Sequence, residues 1–257
     1  MTGRFTFLLL TFLLAFSLRA GAQEGAVDLK IILAVDASGS VNRDEFRLQI
    51  EGIAAAIRRP EVAAAVRGGP HGRVLAAVLV WSDAAFPKYP TRWHLLGPPG
   101  SFEAFAREVE AFNVQAPGVP AIGGGGTGIG EALAFALEML ADEPTPARRL
   151  VVDVSGDGPE SKPWKEGAIE LPAARASAAR AGVTVNGLAI ENEYAGLHLW
   201  YRARLITGNG SFVMRARDYH DFRRAILEKL LRELSSGALS QAAPRHCDAP
   251  AECLARR

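Results

Sequence analysis

Asp36, Ser38 and Ser40 stand two residues apart where the apolar run LAVDASGSV, residues 33–41, turns polar. Three oxygen side chains at i, i+2 and i+4 on a turning loop can converge on one point. A donor set made only of oxygens suits a hard cation, Mg2+ first and Mn2+ or Ca2+ as alternatives, and not zinc or copper. Alone, the pattern equally describes a capped strand-to-helix turn in which Ser40 and Asn42 satisfy backbone donors. Two further segments lift it above that: GGGGTGIGEAL at 123–133 carries Thr127, and VVDVSGDGPE at 151–160 carries Asp157. Asp36, Ser38, Ser40, Thr127 and Asp157 are therefore the candidate metal set.

Other chemistries fit these residues less well. A metal-dependent phosphoesterase would want a base at the ion, and the three loops hold no His or Lys beside DASGS, Thr127 or SGDGP. Asp153 and Glu160 are the remaining candidates. The first is expected to be buried and hydrogen-bonded or to face the site from behind, the second to be a solvated loop residue. The run Gly123 to Gly128 contains GxGxxG, but Pro117 and Pro120 leave no strand leading into it, so a dinucleotide site is not expected. The five histidines are scattered without ligand spacing.

Alternating apolar runs and amphipathic stretches supply the elements that must position these loops. Strands are expected at Leu29 to Val35, Val74 to Trp81, Arg149 to Val154, Val183 to Ile190 and Ser211 to Met214. Lys88 to Leu96 follows its predecessor too closely for a crossover and should return antiparallel at one edge. Helices are expected at Arg43 to Arg58 with Asn42 as N-cap, Ser101 to Phe112 with Ser101 and Glu103 in its first turn, Gly128 to Leu140, Ala173 to Ala181, Tyr194 to Ile206, and Asp218 to Leu234 capped by Asp218. No internal repeat or linker interrupts 27–234. The order spells one doubly wound α/β domain whose ligands sit at the carboxyl ends of the strands.

DASGS, Thr127 in GGTGIG and Asp157 in SGDG resemble, in order and context, the metal-ion-dependent adhesion site of von Willebrand factor type A domains. The likeness spans about residues 27–234. WSD at 81–83, TRWHLL, VVDVSGDGP and DYHDFRRAILEKLLREL look like an exported bacterial branch of that superfamily, described only as a domain of unknown function. The resemblance implies a six-stranded sheet with one antiparallel edge strand and helices on both faces. It implies that Ser38 and Ser40 bind the ion directly, and that Thr127, Asp36 and Asp157 bind it directly or through water. Three hydroxyls and at most two carboxylates leave a divalent cation under-neutralised, with a position open to an Asp or Glu of a partner protein. A non-catalytic docking domain is the expectation; a hydrolase, or a scaffold in which the ion only stabilises loops, are the alternatives.

The rest of the sequence bounds the setting. Of 257 residues 49% are hydrophobic, and 29 basic residues face 28 acidic ones, so nucleic acid is not an expected partner. Arg4 precedes the apolar run FTFLLLTFLLAFSL and the small-residue triplet Ala20-Gly21-Ala22. This reads as a signal peptide over 1–22, its core short of the roughly 20 residues that span a bilayer, and implies a periplasmic or secreted protein without a membrane span once cleaved. Cys247 and Cys253, in an Ala- and Pro-containing tail over 235–257, are expected to form a local disulfide.

Overall fold

A computed structural model describes residues 25–113, 125–161 and 165–239. The expected signal peptide over 1–22 and the expected disulfide of Cys247 and Cys253 lie outside these residues. Seven strands and seven α-helices alternate through the described chain: β1 (Leu29–Asp36), α1 (Arg43–Ile57), α2 (Pro60–Arg67), β2 (Val74–Trp81), β3 (Tyr89–Pro90), β4 (His94–Leu96) and α3 (Ser101–Glu110), then α4 (Ile129–Asp142), β5 (Leu150–Gly156), α5 (Leu171–Arg180), β6 (Thr184–Ile190), α6 (Leu197–Arg204), β7 (Val213–Ala216) and α7 (Phe222–Leu239).

The sheet runs β3-β2-β1-β5-β6-β7, with β4 also on the outer side of β2. β2, β1, β5, β6 and β7 are parallel; β3 and β4 run antiparallel to β2. The expected single edge strand is thus two pieces, and the sheet has seven strands rather than six. Pro90 has no N–H to give the ladder, and the Thr91 hydroxyl takes the Val78 N–H at 3.0 Å while donating to the Arg92 carbonyl, so the edge breaks there.

Continuous apolar strands bury both faces, as a parallel sheet requires. Leu29, Ile31, Leu33 and Val35 of β1 point into a core shared with α1, α2, α3 and α7, while Ile32 and Ala34 point into a second core with α4, α5 and α6. Several expected boundaries shift. α2 was not anticipated; Pro60 opens it, where a missing N–H costs nothing. α3 is preceded by Gly100 at φ 77° instead of a side-chain cap. Ser101 instead bridges the Gly97 N–H and the Pro98 carbonyl, and Glu103 pairs with Arg58 and Arg107. α7 starts at Phe222 because Asp218 takes the Asp221 N–H in a turn before the helix, which then runs past Ser235. Among the described residues no helix is long and apolar enough to cross a membrane.

Candidate metal centre

β1 is flanked by β2 and β5, so its carboxyl end opens on the crevice where strand order reverses, the usual ligand position in such sheets. Asp36 is in register with Trp81, and the Ala37 N–H still reaches the Trp81 carbonyl at 2.8 Å before the chain turns. Asn42 then starts α1 with a complete capping box: its side chain accepts from Asp44 and Glu45, and Glu45 accepts from the Asn42 N–H. DASGS is therefore pinned between a paired strand end and a capped helix. Within it the Ser38 N–H donates to Asp36 Oδ1 at 2.7 Å, and Gln49 Nε2 donates to the Asp36 carbonyl at 3.0 Å.

Asp157 arrives from the end of β5. Gly156 just before it packs closely on the cluster: a Cβ there would stand 2.7 Å from Asp36 Oδ2 and 2.8 Å from the Tyr201 hydroxyl, so a side chain would have to displace one of them. Ser40 Oγ donates to Asp157 Oδ1 at 2.7 Å, and the Ser38 and Ser40 hydroxyls lie 3.4 Å apart. The loop before α4 brings Thr127. Its glycines let the backbone lie against the end of β2, where Asp83 Oδ2 accepts the Gly126 N–H at 2.8 Å and the Ser82 carbonyl accepts the Gly128 N–H at 3.1 Å. Ser161 closes the other side, its hydroxyl accepting the Thr127 N–H and its N–H donating to the Thr127 carbonyl. Thr127 Oγ1 comes within 3.7 Å of where a Gly158 Cβ would lie, beside Asp157. The structure thus joins Asp36, Ser38, Ser40 and Asp157 in one hydrogen-bonded cluster and sets Thr127 at its edge.

Asp36, Ser38 and Asp157 are buried; Ser40 is exposed and Thr127 half-buried. Asp36 Oδ2 and Asp157 Oδ2 are buried without a hydrogen-bond partner. Burial, and next the charge of Asp157, push the Asp36 carboxyl up to about 7. Tyr201 is also pushed up, by burial first and then by the same two carboxylates; its hydroxyl is 3.4 Å from the Gly158 carbonyl. Two buried carboxylates without a counter-charge among the described residues are costly, and two orphaned oxygens beside hydroxyls are the donors a hard cation takes. The residues fit such an ion. The described residues contain no group of three or more His, Cys, Asp or Glu that could hold a metal ion.

Some residues at the site escaped the sequence reading. Asp83 anchors the glycine loop; its signal is its place two residues past the end of the apolar strand β2. Tyr201 and Ser161 carry no such signal, since each acts through tertiary approach. Glu160 is not a solvated loop residue. It is half-buried and accepts the N–H groups of Gly130 at 2.8 Å and Leu171 at 2.9 Å, tying the first turns of α4 and α5. Asp153 is buried as expected but faces α7, where Lys229 Nζ lies 2.7 Å away.

Residues 26–238 match a family described as "Protein of unknown function (DUF1194)". The chain belongs to this DUF1194 family. No curated protein matches it. Among solved structures it is similar to the pilus adhesin SpaC from Lactobacillus rhamnosus GG, with TM-score 0.53 and 14% identity over 81% of this chain and 30% of the adhesin. It is similar to proximal thread matrix protein 1 from the mussel byssus, with TM-score 0.53 and 17% identity over 81% of this chain and 46% of that one. The vWF domain of the type V pili tip protein Mfa5 from Porphyromonas gingivalis gives TM-score 0.50 and 11% identity over 82% of this chain and 96% of that domain. The chain spans less than half of the first two proteins and nearly the whole of the third. At these identities the likeness is one of fold, and the fold is that of a von Willebrand factor type A domain.

Proposed function

We propose that this is an exported, non-catalytic domain that binds a divalent cation, Mg2+ first, through Asp36, Ser38, Ser40, Thr127 and Asp157, and docks a partner protein's Asp or Glu on it. One observation carries the reading: two buried carboxylates from different strands converge with unpartnered oxygens, ringed by hydroxyls and without a counter-cation among the described residues. The open edge at Ser40 and Thr127 leaves room for an outside carboxylate. Two structural relatives, a pilus adhesin and a pilus tip protein, support an interaction role outside the cell, as does the apolar N-terminal run that reads as a signal peptide. Against hydrolysis, both candidate bases are engaged elsewhere, Glu160 by helix N–H groups and Asp153 by Lys229.

The test is thermal melting of purified residues 23–257 with Mg2+, Mn2+ or Ca2+, alongside Asp36→Ala. The cation is expected to raise the melting temperature of the wild type and leave the variant unmoved; an equal shift in both would place the ion elsewhere.

A further inference from the structure

The cation cluster leans on a turn that supplies none of its five candidate ligands. After β2 the chain doubles back through residues 82–86, closed by the Phe86 N–H on the Asp83 carbonyl at 3.2 Å. The loop that carries Thr127 hangs on this turn from both sides: the Asp83 carboxylate takes the Gly126 N–H at 2.8 Å, and the Ser82 carbonyl takes the Gly128 N–H at 3.1 Å. The Gly125 carbonyl in turn accepts the Gly39 N–H at 3.2 Å, between Ser38 and Ser40. There is little slack, since a Cβ on Gly125 would stand 2.6 Å from the Asp83 Cβ and one on Gly128 would stand 2.7 Å from the Ala84 nitrogen. A shift of the turn therefore moves Thr127 relative to Ser38 and Ser40.

One side chain holds the turn together. Lys88 Nζ donates to the carbonyls of Asp83, Ala84 and Phe86 at 3.1, 3.3 and 3.0 Å. A lysine beside an edge strand ordinarily extends into water. This one is half-buried and directs its ammonium back into its own turn. Hydrogen bonds from a charged donor are roughly twice as strong as neutral ones, and Pro87 has no N–H that could replace them. Carbonyls gathered on one ammonium lose what holds them together when the charge is removed.

We propose that Lys88 is a positioning residue of the cation site, fixing through the 82–86 turn the separation of Thr127 from Ser38 and Ser40 and with it the preference for Mg2+ over Ca2+. Mg2+ demands near-octahedral ligands at about 2.0–2.1 Å, whereas Ca2+ accepts oxygens at about 2.3–2.6 Å in flexible geometry. A loosened loop therefore costs Mg2+ more than Ca2+. This rests on the cation-binding reading above, and its test separates the two.

Mg2+ and Ca2+ are titrated separately into residues 23–257 by calorimetry, and melting in chelator is recorded for each variant. Lys88→Met, similar in length but without donors, is expected to bind Mg2+ at least about tenfold more weakly and Ca2+ within about threefold of the wild type. Lys88→Arg keeps charge and donors, but its planar fork cannot gather three carbonyls at one point, so its Mg2+ affinity should fall between the two. Asp83→Asn should repeat the Lys88→Met pattern, and the double variant should bind about as the weaker single one does, because both residues act through one turn. Mg2+ binding unchanged in Lys88→Met and Lys88→Arg, with binding lost in Asp36→Ala, overturns the role of Lys88 and leaves the cation site standing. Equal losses for both ions alongside a lower melting temperature would make Lys88 a stabilising residue only, and tighter Mg2+ binding in Lys88→Met would make it a repelling charge; either overturns the proposal. A wild type that binds neither ion overturns both readings.

Discussion

Asp153 and Asp157 lie four residues apart on the same strand and its exit, and each is 2% exposed, yet their surroundings are opposite. Asp153 faces α7, where the fully buried Lys229 puts its Nζ 2.7 Å from Asp153 and 3.3 Å from Glu233. Arg149 adds a second cation at 3.4 Å from Glu233, and Asn186 donates to Glu233 at 2.5 Å while accepting the Phe212 N–H. Two carboxylates meet two cations there. At the other end, Asp157 meets Asp36, and among the described residues only hydroxyls and backbone N–H groups answer them. Burial raises both Asp153 and Asp36, the latter ending at about 7. The next cause differs in sign, for Lys229 lowers Asp153 while Asp157 raises Asp36 further. A buried aspartate on an apolar strand is thus not itself a sign of function. The sign is a buried carboxylate for which the fold supplies no counter-charge.

The comparison breaks most visibly at Lys229. Lys229→Met strands Asp153 and Glu233 without their central cation, and removing one member of a buried ion pair costs about 3–5 kcal/mol. At the size of this domain that lowers the melting temperature by on the order of 10 °C. Urea unfolding measures it, and a loss below about 1 kcal/mol would show that the carboxylates do not depend on Lys229.

Asp36→Asn should behave in the opposite way. In chelator it removes one of two mutually repelling buried charges, so the variant is expected to melt at or above the wild-type temperature. With Mg2+ at about a hundred times its dissociation constant the wild type gains about 2.7 kcal/mol, and Asp36→Asn gains none of it. Should Asp36→Asn in chelator fall as far as Lys229→Met, Asp36 would belong with Asp153 as a purely structural carboxylate.

Glu160 tests a third arrangement, a half-buried carboxylate answered by N–H groups. Glu160→Ala frees the N–H groups of Gly130 and Leu171 and should cost about 1–2 kcal/mol, while the Mg2+-induced shift persists. Loss of that shift would make Glu160 part of the ion's surroundings.

Much of this contrast was legible beforehand. The apolar runs gave the sheet and both cores, and polar residues directly after them located Asp36 and Asp157, because a parallel strand leaves its ligands at its carboxyl end. The antiparallel return at the edge was legible, but not its division into two pieces where Pro90 and Thr91 redirect ladder bonds, a local effect that apolar patterning does not register. α2 was missed since its eight residues are mostly alanine and valine, too short and uniform to show a helical period. Tyr201 and Lys229 could not be placed at all. Each acts from a helix through contacts distant in sequence, and a lysine on an amphipathic helix ordinarily faces water.

The mildest contrast lies at the surface. Glu108, its side chain 23% exposed, receives Arg92 at 2.8 Å and His94 at 2.8 Å. Desolvation pushes its carboxyl up, but hydrogen bonds from the Arg92 side chain and backbone and from His94 outweigh it and hold Glu108 at about 2 against an ordinary 4.5. A depressed carboxylate contributes stability that is complete above the unfolded value and is lost as pH falls through the folded one. Here that window runs from about 4.5 down to about 2. Glu108→Gln should therefore lower stability by about 1 kcal/mol or less at pH 6 and by nothing at pH 2, measured by urea unfolding at both. A difference that persists at pH 2 would mean that Glu108 contributes by packing. In that case a counter-ion near the surface would carry none of the weight that Lys229 carries in the core.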